Sequence, residues 1–187
     1  MKKTIAVLAL VLSAAPLFAA TFTIDKAHSS VGFKIRHFAG RVPGTFSDFS
    51  GKIKFDEKDP AKSSVEAVIQ VESISTNNGM RDKHLKTKDF FDVEKFPTIT
   101  YKSTKVSAAG KGKYKVDGML TMHGVEKPVV LDVDYAGTEN DPKGNAHAGF
   151  SAETKISRKD FGVGGAMLGD EVVISIDVEA GADEPAK

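Results

Sequence analysis

The chain of 187 residues has no cysteine and no tryptophan, and its 26 basic residues are nearly balanced by 25 acidic ones. Without thiols there is no disulfide framework, no thiolate metal ligand and no cysteine nucleophile, so the fold must rest on burial and strand pairing. Without an excess of one charge sign, the composition gives no reason to expect nucleic-acid binding or a basic membrane-docking face. Long apolar runs are missing except at the start. Met1, Lys2 and Lys3 precede an apolar stretch from Ile5 to Leu12, followed by Pro16 and the small residues Ala19 and Ala20. This is the layout of a secretory signal peptide, and it is too short and too soon interrupted to span a bilayer as a helix. Cleavage is expected after Ala19 or Ala20, and no cysteine follows to accept a lipid anchor. The predicted organisation is therefore a signal peptide, residues 1–20, and one exported domain, residues 21–187, with no stable membrane anchor. Removing Lys2 and Lys3 with the leader moves the formal charge from +1 to −1.

What the mature region does have is alternation. Val31, Phe33 and Ile35 share one face while Ser30, Lys34 and Arg36 share the other. Phe46, Phe49, Ile53 and Phe55 continue toward a turn at Asp59-Pro60, and Val65, Ala67, Ile69 and Val71 follow it. Further strands are read over Thr98 to Ser103, Tyr114 to Met122, Val129 to Tyr135, His147 to Ile156 and Val172 to Val178, with turns at Ala109-Gly110-Lys111-Gly112 and Asn140-Asp141-Pro142. Seventeen glycines and seven prolines punctuate these short segments. One stretch breaks the period of two: Thr76 to Lys86 reads as a short helix with an asparagine N-cap and with Met80, His84 and Leu85 near one face.

About eight antiparallel strands with one apolar face either stack as two sheets or close into a barrel. The length of the strands beginning at Tyr114, Ala146 and Asp170 favours closure, as does a helix inserted where it would cover one barrel end. The predicted inward set is Val31, Phe33, Ile35, Phe46, Ile53, Phe55, Ala67, Ile69, Ile99, Tyr101, Leu120, Met122, Val129, Leu131, Phe150, Ala152, Ile174 and Ile176. A barrel of this size either packs its own side chains inside or holds one small ligand. Small residues such as Ala67, Ala152 and Gly118 fit both readings, which the residues alone leave open.

Catalytic signals are few. There is no Gly-x-Ser-x-Gly elbow and no carboxylate pair whose spacing suggests shared acid and base roles. The glycines of Phe161-Gly162-Val163-Gly164-Gly165 lack the strand-to-helix context of a nucleotide loop. His28, His37, His84, His123 and His147 show no metal-ligand spacing, so no metal or other cofactor is expected, a site built from distant strands being the one route left open. His123, in the turn-like Met122-His123-Gly124, is expected to cap backbone. The sharpest polar cluster is Arg81, Asp82 and His84. Arg81 or His84 would meet a polar or anionic head group at a barrel mouth, or Arg81 or Asp82 would pin the helix to the barrel through Asp160 or Arg158.

The chain carries a series of distinctive stretches: Thr45-Phe46-Ser47-Asp48-Phe49-Ser50-Gly51, Arg81-Asp82-Lys83-His84-Leu85, Asp89-Phe90-Phe91-Asp92 and Phe96-Pro97, then Gly118 through Val129, Ala148-Gly149-Phe150 and Ser157-Arg158-Lys159-Asp160-Phe161-Gly162. Together they resemble the YceI-like family of exported polyisoprenoid-binding proteins. The resemblance spans nearly the whole mature chain in order. It implies an all-β fold: an extended, eight-stranded, antiparallel, lipocalin-like barrel with a short α-helical insertion. It also implies a periplasmic binding protein, not an enzyme, that holds a long isoprenoid or similar amphiphile for transport, storage or sequestration. The ligand-binding residues so implied are Phe33, Ile35, Phe46, Phe49, Ile53, Phe55, Ile69, Arg81, His84, Leu85, Phe90, Phe91, Tyr101, Leu120, Met122 and Phe150. The competing reading is a filled barrel acting as a structural or interaction module of the cell envelope. Monomer and homodimer are both open.

Overall fold

The structure, a computed structural model, describes residues 19–183. The predicted signal peptide lies outside the described residues except for its last two, and Ala20 already belongs to the first strand. In chain order the elements are β1 (Ala20–Ile24), β2 (Ser30–His37), β3 (Gly40–Phe46), β4 (Phe49–Phe55), β5 (Ser64–Gln70), β6 (Ile74–Ser75), α1 (Gly79–Leu85), β7 (Thr98–Gly110), β8 (Lys113–Met122), β9 (Val125–Asn140), β10 (Ala146–Ser157) and β11 (Leu168–Ala182).

These strands form eight antiparallel arms in simple up-and-down order, because the first three arms are each broken once. β1 runs on into β2 across a 3-10 turn at Lys26–His28, β3 into β4 across Ser47-Asp48, and β5 into β6 across a second 3-10 turn at Val71–Ser73. The breaks lie side by side. Asp25 caps the first turn by accepting from Ala27 N at 2.8 Å, Lys26 pairs with Asp48 at 2.9 Å, and Gln70 N donates to Asp48 O at 2.8 Å. The sheet therefore bends along one line while keeping its neighbours. Closure comes from β11, which pairs with β10 over eleven register positions on one edge. Its other edge pairs with β2 from Leu168 to Asp177 and with β1 from Ala180 to Ala182. The barrel thus has no free edge along its main wall, which removes the stacked-sandwich alternative.

Strand boundaries run further than alternation alone suggests. β7 continues through Ala109 to Gly110, so the turn to β8 shrinks to Lys111-Gly112, with Gly112 at φ 66°. The β8–β9 turn is His123-Gly124, with both residues at positive φ, as a two-residue hairpin matching the sheet twist requires. The helix falls inside the predicted stretch: Asn78 is its N-cap and accepts from Arg81 N at 3.1 Å. β6 runs from beside Phe46 toward the β2–β3 turn, so α1, which follows it, sits over that end of the barrel with the segment through Phe90, Phe91 and Phe96. The glycine-rich stretch after Phe161 is the connection from a 3-10 turn, Arg158–Phe161, to β11 at the same end.

Candidate functional site

The alternating apolar face encloses a cavity of about 320 Å³ running along the barrel. Every residue of the predicted inward set lines it. So does every predicted ligand-binding residue except His84, which points to solvent, lies 3.0 Å from the carboxylate of Asp89 and stacks edge-on against Phe90. The expected Met80–His84–Leu85 face is likewise divided: Met80 is 83 % exposed, while Leu85 joins the cavity wall. The alternation also carries wall residues that the sequence reading left out. Tyr114 and Val116 lie four and two positions before Gly118 on the face that leads to Leu120 and Met122, and Val65, Val106 and Val133 complete the same end.

Two glycines settle which small residues make room for what. A Cβ on Gly44 would overlap Cζ of Phe33, and one on Gly118 would overlap Cζ of Tyr101. Gly118 is therefore filled by an aromatic ring from its own wall and leaves no space to a ligand. Tyr101 lies across that gap and donates its phenol to Val116 O at 2.8 Å and Val129 O at 3.2 Å, and burial, with Asp117 nearby, pushes its ionisation well above that of a free phenol. Ala67 and Ala152, by contrast, border the cavity directly.

The two ends differ. At one, Phe55 stacks with Tyr114, Tyr135 and Phe150 at centroid distances of 5.4, 4.7 and 5.3 Å, and Lys54, Ser63 and Ser64 bring polarity to the rim. At the other, β2 and β3 turn, α1 crosses, and Arg81 and Thr76 enter the lining. Arg81 donates through Nε to Thr76 Oγ1 at 2.7 Å and through Nη2 to Thr76 O at 2.8 Å. Asp82 accepts from Thr76 N at 2.8 Å and Thr76 Oγ1 at 2.5 Å. The Thr76 hydroxyl bond holds the Asp82 carboxyl below its ordinary range against the opposing effect of burial, with the Thr76 amide and Arg81 assisting. The helix is thus pinned to the strand end through Thr76, and the hydrogen bonds of Arg81 and Asp82 are made there instead of with Asp160 or Arg158.

Arg158 has a different task. Only 5 % exposed, it donates to the carbonyls of Gly169, Val163, Gly165 and Leu168 at 2.9, 2.7, 2.6 and 3.1 Å and lies 3.5 Å from Asp170. One guanidinium fork gathers the whole connection between the 3-10 turn and β11 and holds it over the mouth. His123 Nδ1 donates to Phe161 O at 3.1 Å, and its ring meets Phe96 edge-on, so it caps backbone as expected.

Away from the cavity, where the first 3-10 turn meets β11, Asp25, His28 and Glu179 bring potential metal-ligating atoms within 4.8 Å of one another. Asp25 and His28 already satisfy each other. The carboxylate bonds His28 Nδ1 at 2.8 Å, which pushes the acid down and the imidazole up. A Glu179 carboxylate oxygen also lies 3.2 Å from His147 Nδ1, out of line for a hydrogen bond.

A model of the YceI-like domain matches residues 22–180. The chain belongs to the YceI-like family. A UPF0312 protein of Serratia proteamaculans is 43 % identical over 187 residues, covering 95 % of this chain and 97 % of that one. Among solved structures, the YceI protein of Campylobacter jejuni is 37 % identical with a TM-score of 0.73, covering 86 % of this YceI-like chain and 96 % of its own. Burkholderia cenocepacia BcnA superposes with a TM-score of 0.78 at 29 % identity, covering 84 % and 99 %. A polyisoprenoid-binding domain from Saccharophagus degradans shares the fold, with a TM-score of 0.63 at 15 % identity over 89 % of this chain and 99 % of that one. Eight antiparallel arms with one short helix are therefore the architecture this YceI-like chain shares with its relatives.

Proposed function

We propose that this YceI-like protein is an exported, periplasmic binding protein that holds a long apolar isoprenoid or similar amphiphile inside its barrel. The observation that carries the reading is the cavity: about 320 Å³, lined mainly by apolar side chains, among them Phe33, Ile69, Ile99, Leu120 and Ile176. A volume of this size lies at the lower end of the range for small-molecule sites. Leaving so apolar a lining empty or against water costs the protein part of the burial energy that a packed core would have. A filled-barrel module has no use for such a void. A lipid chain removes the cost, each buried methylene contributing about 0.8 kcal/mol.

The tail would set affinity and the head group orientation, since a neutral hydrogen bond adds only about 1 kcal/mol net. Arg81 at one rim and Lys54 at the other are the cations available to a head group. We read the protein as a carrier and not an enzyme because the waist offers a ligand no acid–base pair: its titratable group is Tyr101, with its proton committed to two carbonyls. The domain name of the Saccharophagus degradans relative points the same way. Organic extraction and mass spectrometry of protein purified from cells tests the reading. Recovery of a stoichiometric amphiphile, or saturable uptake of an added isoprenoid alcohol, is expected; neither appearing in repeated preparations would overturn it.

A further inference from the structure

In the β2–β3 hairpin, Arg36 and Arg41 are direct cross-strand partners on the outer face, and Lys34 lies two residues along the same face. All three are exposed. Like charges directly opposite each other destabilise a sheet. Elsewhere on the outer wall opposing charges find partners: Lys113 pairs with Asp134, Lys102 with Glu66, and where two acids meet, Glu153 opposite Asp132, Lys115 pairs with Asp132. No acid occurs between Val31 and Ser47. On the adjoining β11 strand, Asp170 is held by Arg158 and Lys159, and Glu171 by Lys155. The hairpin thus presents positive charge for which the described residues supply no counter-charge.

The tip of this hairpin is Phe38, 64 % exposed and at φ 49°, a conformation costly for a bulky residue. Its neighbour His37 pairs with Leu168, which places Met167, 68 % exposed, beside it. Met80, 83 % exposed, precedes Arg81 over the same end of the cavity. Of the four large apolar side chains exposed among the described residues, three therefore surround one mouth, and the fourth, Val130, lies on the wall of β9. The near-neutral whole-chain charge conceals this local asymmetry.

We propose that this rim docks on an anionic bilayer surface, with Phe38 and Met167 entering the lipid interface and Lys34, Arg36 and Arg41 lying against anionic head groups. Loading of the cavity through this end rests on the lipid-container reading; docking itself does not. Because the chain has no tryptophan, Phe38→Trp places a single fluorescent probe at the tip. With vesicles containing phosphatidylglycerol its emission should shift to the blue and be quenched by bromine-labelled acyl chains, and with pure phosphatidylcholine vesicles it should not. Each basic residue beside an anionic surface is worth roughly a fivefold change in affinity. Lys34→Gln/Arg36→Gln/Arg41→Gln should then weaken vesicle binding by about a hundredfold, whereas Lys111→Gln, at the opposite end, should leave it unchanged. Arg36 also donates to Phe38 O at 2.9 Å. Lys34→Gln/Arg41→Gln, expected to weaken binding by about 25-fold, keeps that turn intact. Unshifted emission from the Phe38→Trp variant, equal binding by the charge variants, or binding that requires membrane protein would overturn the proposal. Uptake of isoprenoid alcohol from dilute ethanol, measured in parallel, should persist in the charge variants. Vesicle binding without any uptake would overturn the container reading and leave docking standing.

Discussion

Gly44 lies directly opposite Phe33 in the β2–β3 register, and the Phe33 ring occupies the space where a side chain on residue 44 would stand. The smallest residue of the wall therefore widens nothing; it lets an aromatic ring lie flat along the lining. Gly44→Ala must push that ring toward the waist. A loss of about 1–3 kcal/mol, the usual cost of overpacking, is expected in thermal unfolding, together with weaker isoprenoid uptake. Unchanged stability would mean that the ring has somewhere else to go.

Ala152 gives the opposite balance. It borders the cavity, so Ala152→Leu adds carbon where there is volume to receive it. Stability should hold or rise by up to about 2 kcal/mol, from three buried carbons, while uptake of a long isoprenoid falls. Denaturant titration and ligand titration on the same variant separate the two effects, which a packed-core barrel would not show moving in opposite directions.

Arg158→Met should be among the most damaging single substitutions. It leaves the carbonyls of Val163, Gly165, Leu168 and Gly169 without the guanidinium that joins them. A loss of about 3–5 kcal/mol is expected in urea unfolding, in line with breaking other buried charged networks. Arg158→Lys should recover only part of it, since a single ammonium cannot reach a fork of acceptors. Amide exchange should rise first between Gly162 and Leu168.

Acid should loosen the helix before it opens the barrel. The folded Asp82 carboxyl titrates below its ordinary 3.8, so its contribution is present above that value and is lost as pH falls below it, through the depressed folded value. The protection of the α1 amides, relative to their intrinsic exchange at the same pH, should fall in that acidic window while that of β10 holds. Asp82→Asn, which removes the titration, should flatten the dependence.

How far the sequence carried is clearest in particular residues. The period of two placed Val31, Phe33, Leu120, Phe150 and Ile176 on the cavity side correctly, because the alternation is forced by the pleat and does not depend on the closure of the sheet. The same rule could not see that Tyr101 fills the space beside Gly118, since that contact joins a ring to a glycine of the neighbouring strand. His84 and Leu85 are adjacent in sequence yet take opposite sides of the helix, a matter of a rotation of one residue. Arg158 escaped because its partners are backbone carbonyls, which every residue possesses and no sequence pattern marks. Nor does alternation show where a long arm bends: the breaks at Lys26, Asp48 and Val71 are set by hydrogen bonds between arms.

The seam of the barrel joins the first strand to the last, with Phe22 opposite Ala182. A chain that emerges amino end first cannot shut this wall until β11 has emerged. The arms from β3 to β10 can zip one after another as they appear, each beside its predecessor, but the final pairing spans almost the whole polypeptide and carries the largest loop-closure entropy. Until then the apolar lining is an open trough. The cavity comes into being only with the closing strand, and any ligand that fits it, present at that moment, would favour closure by mass action.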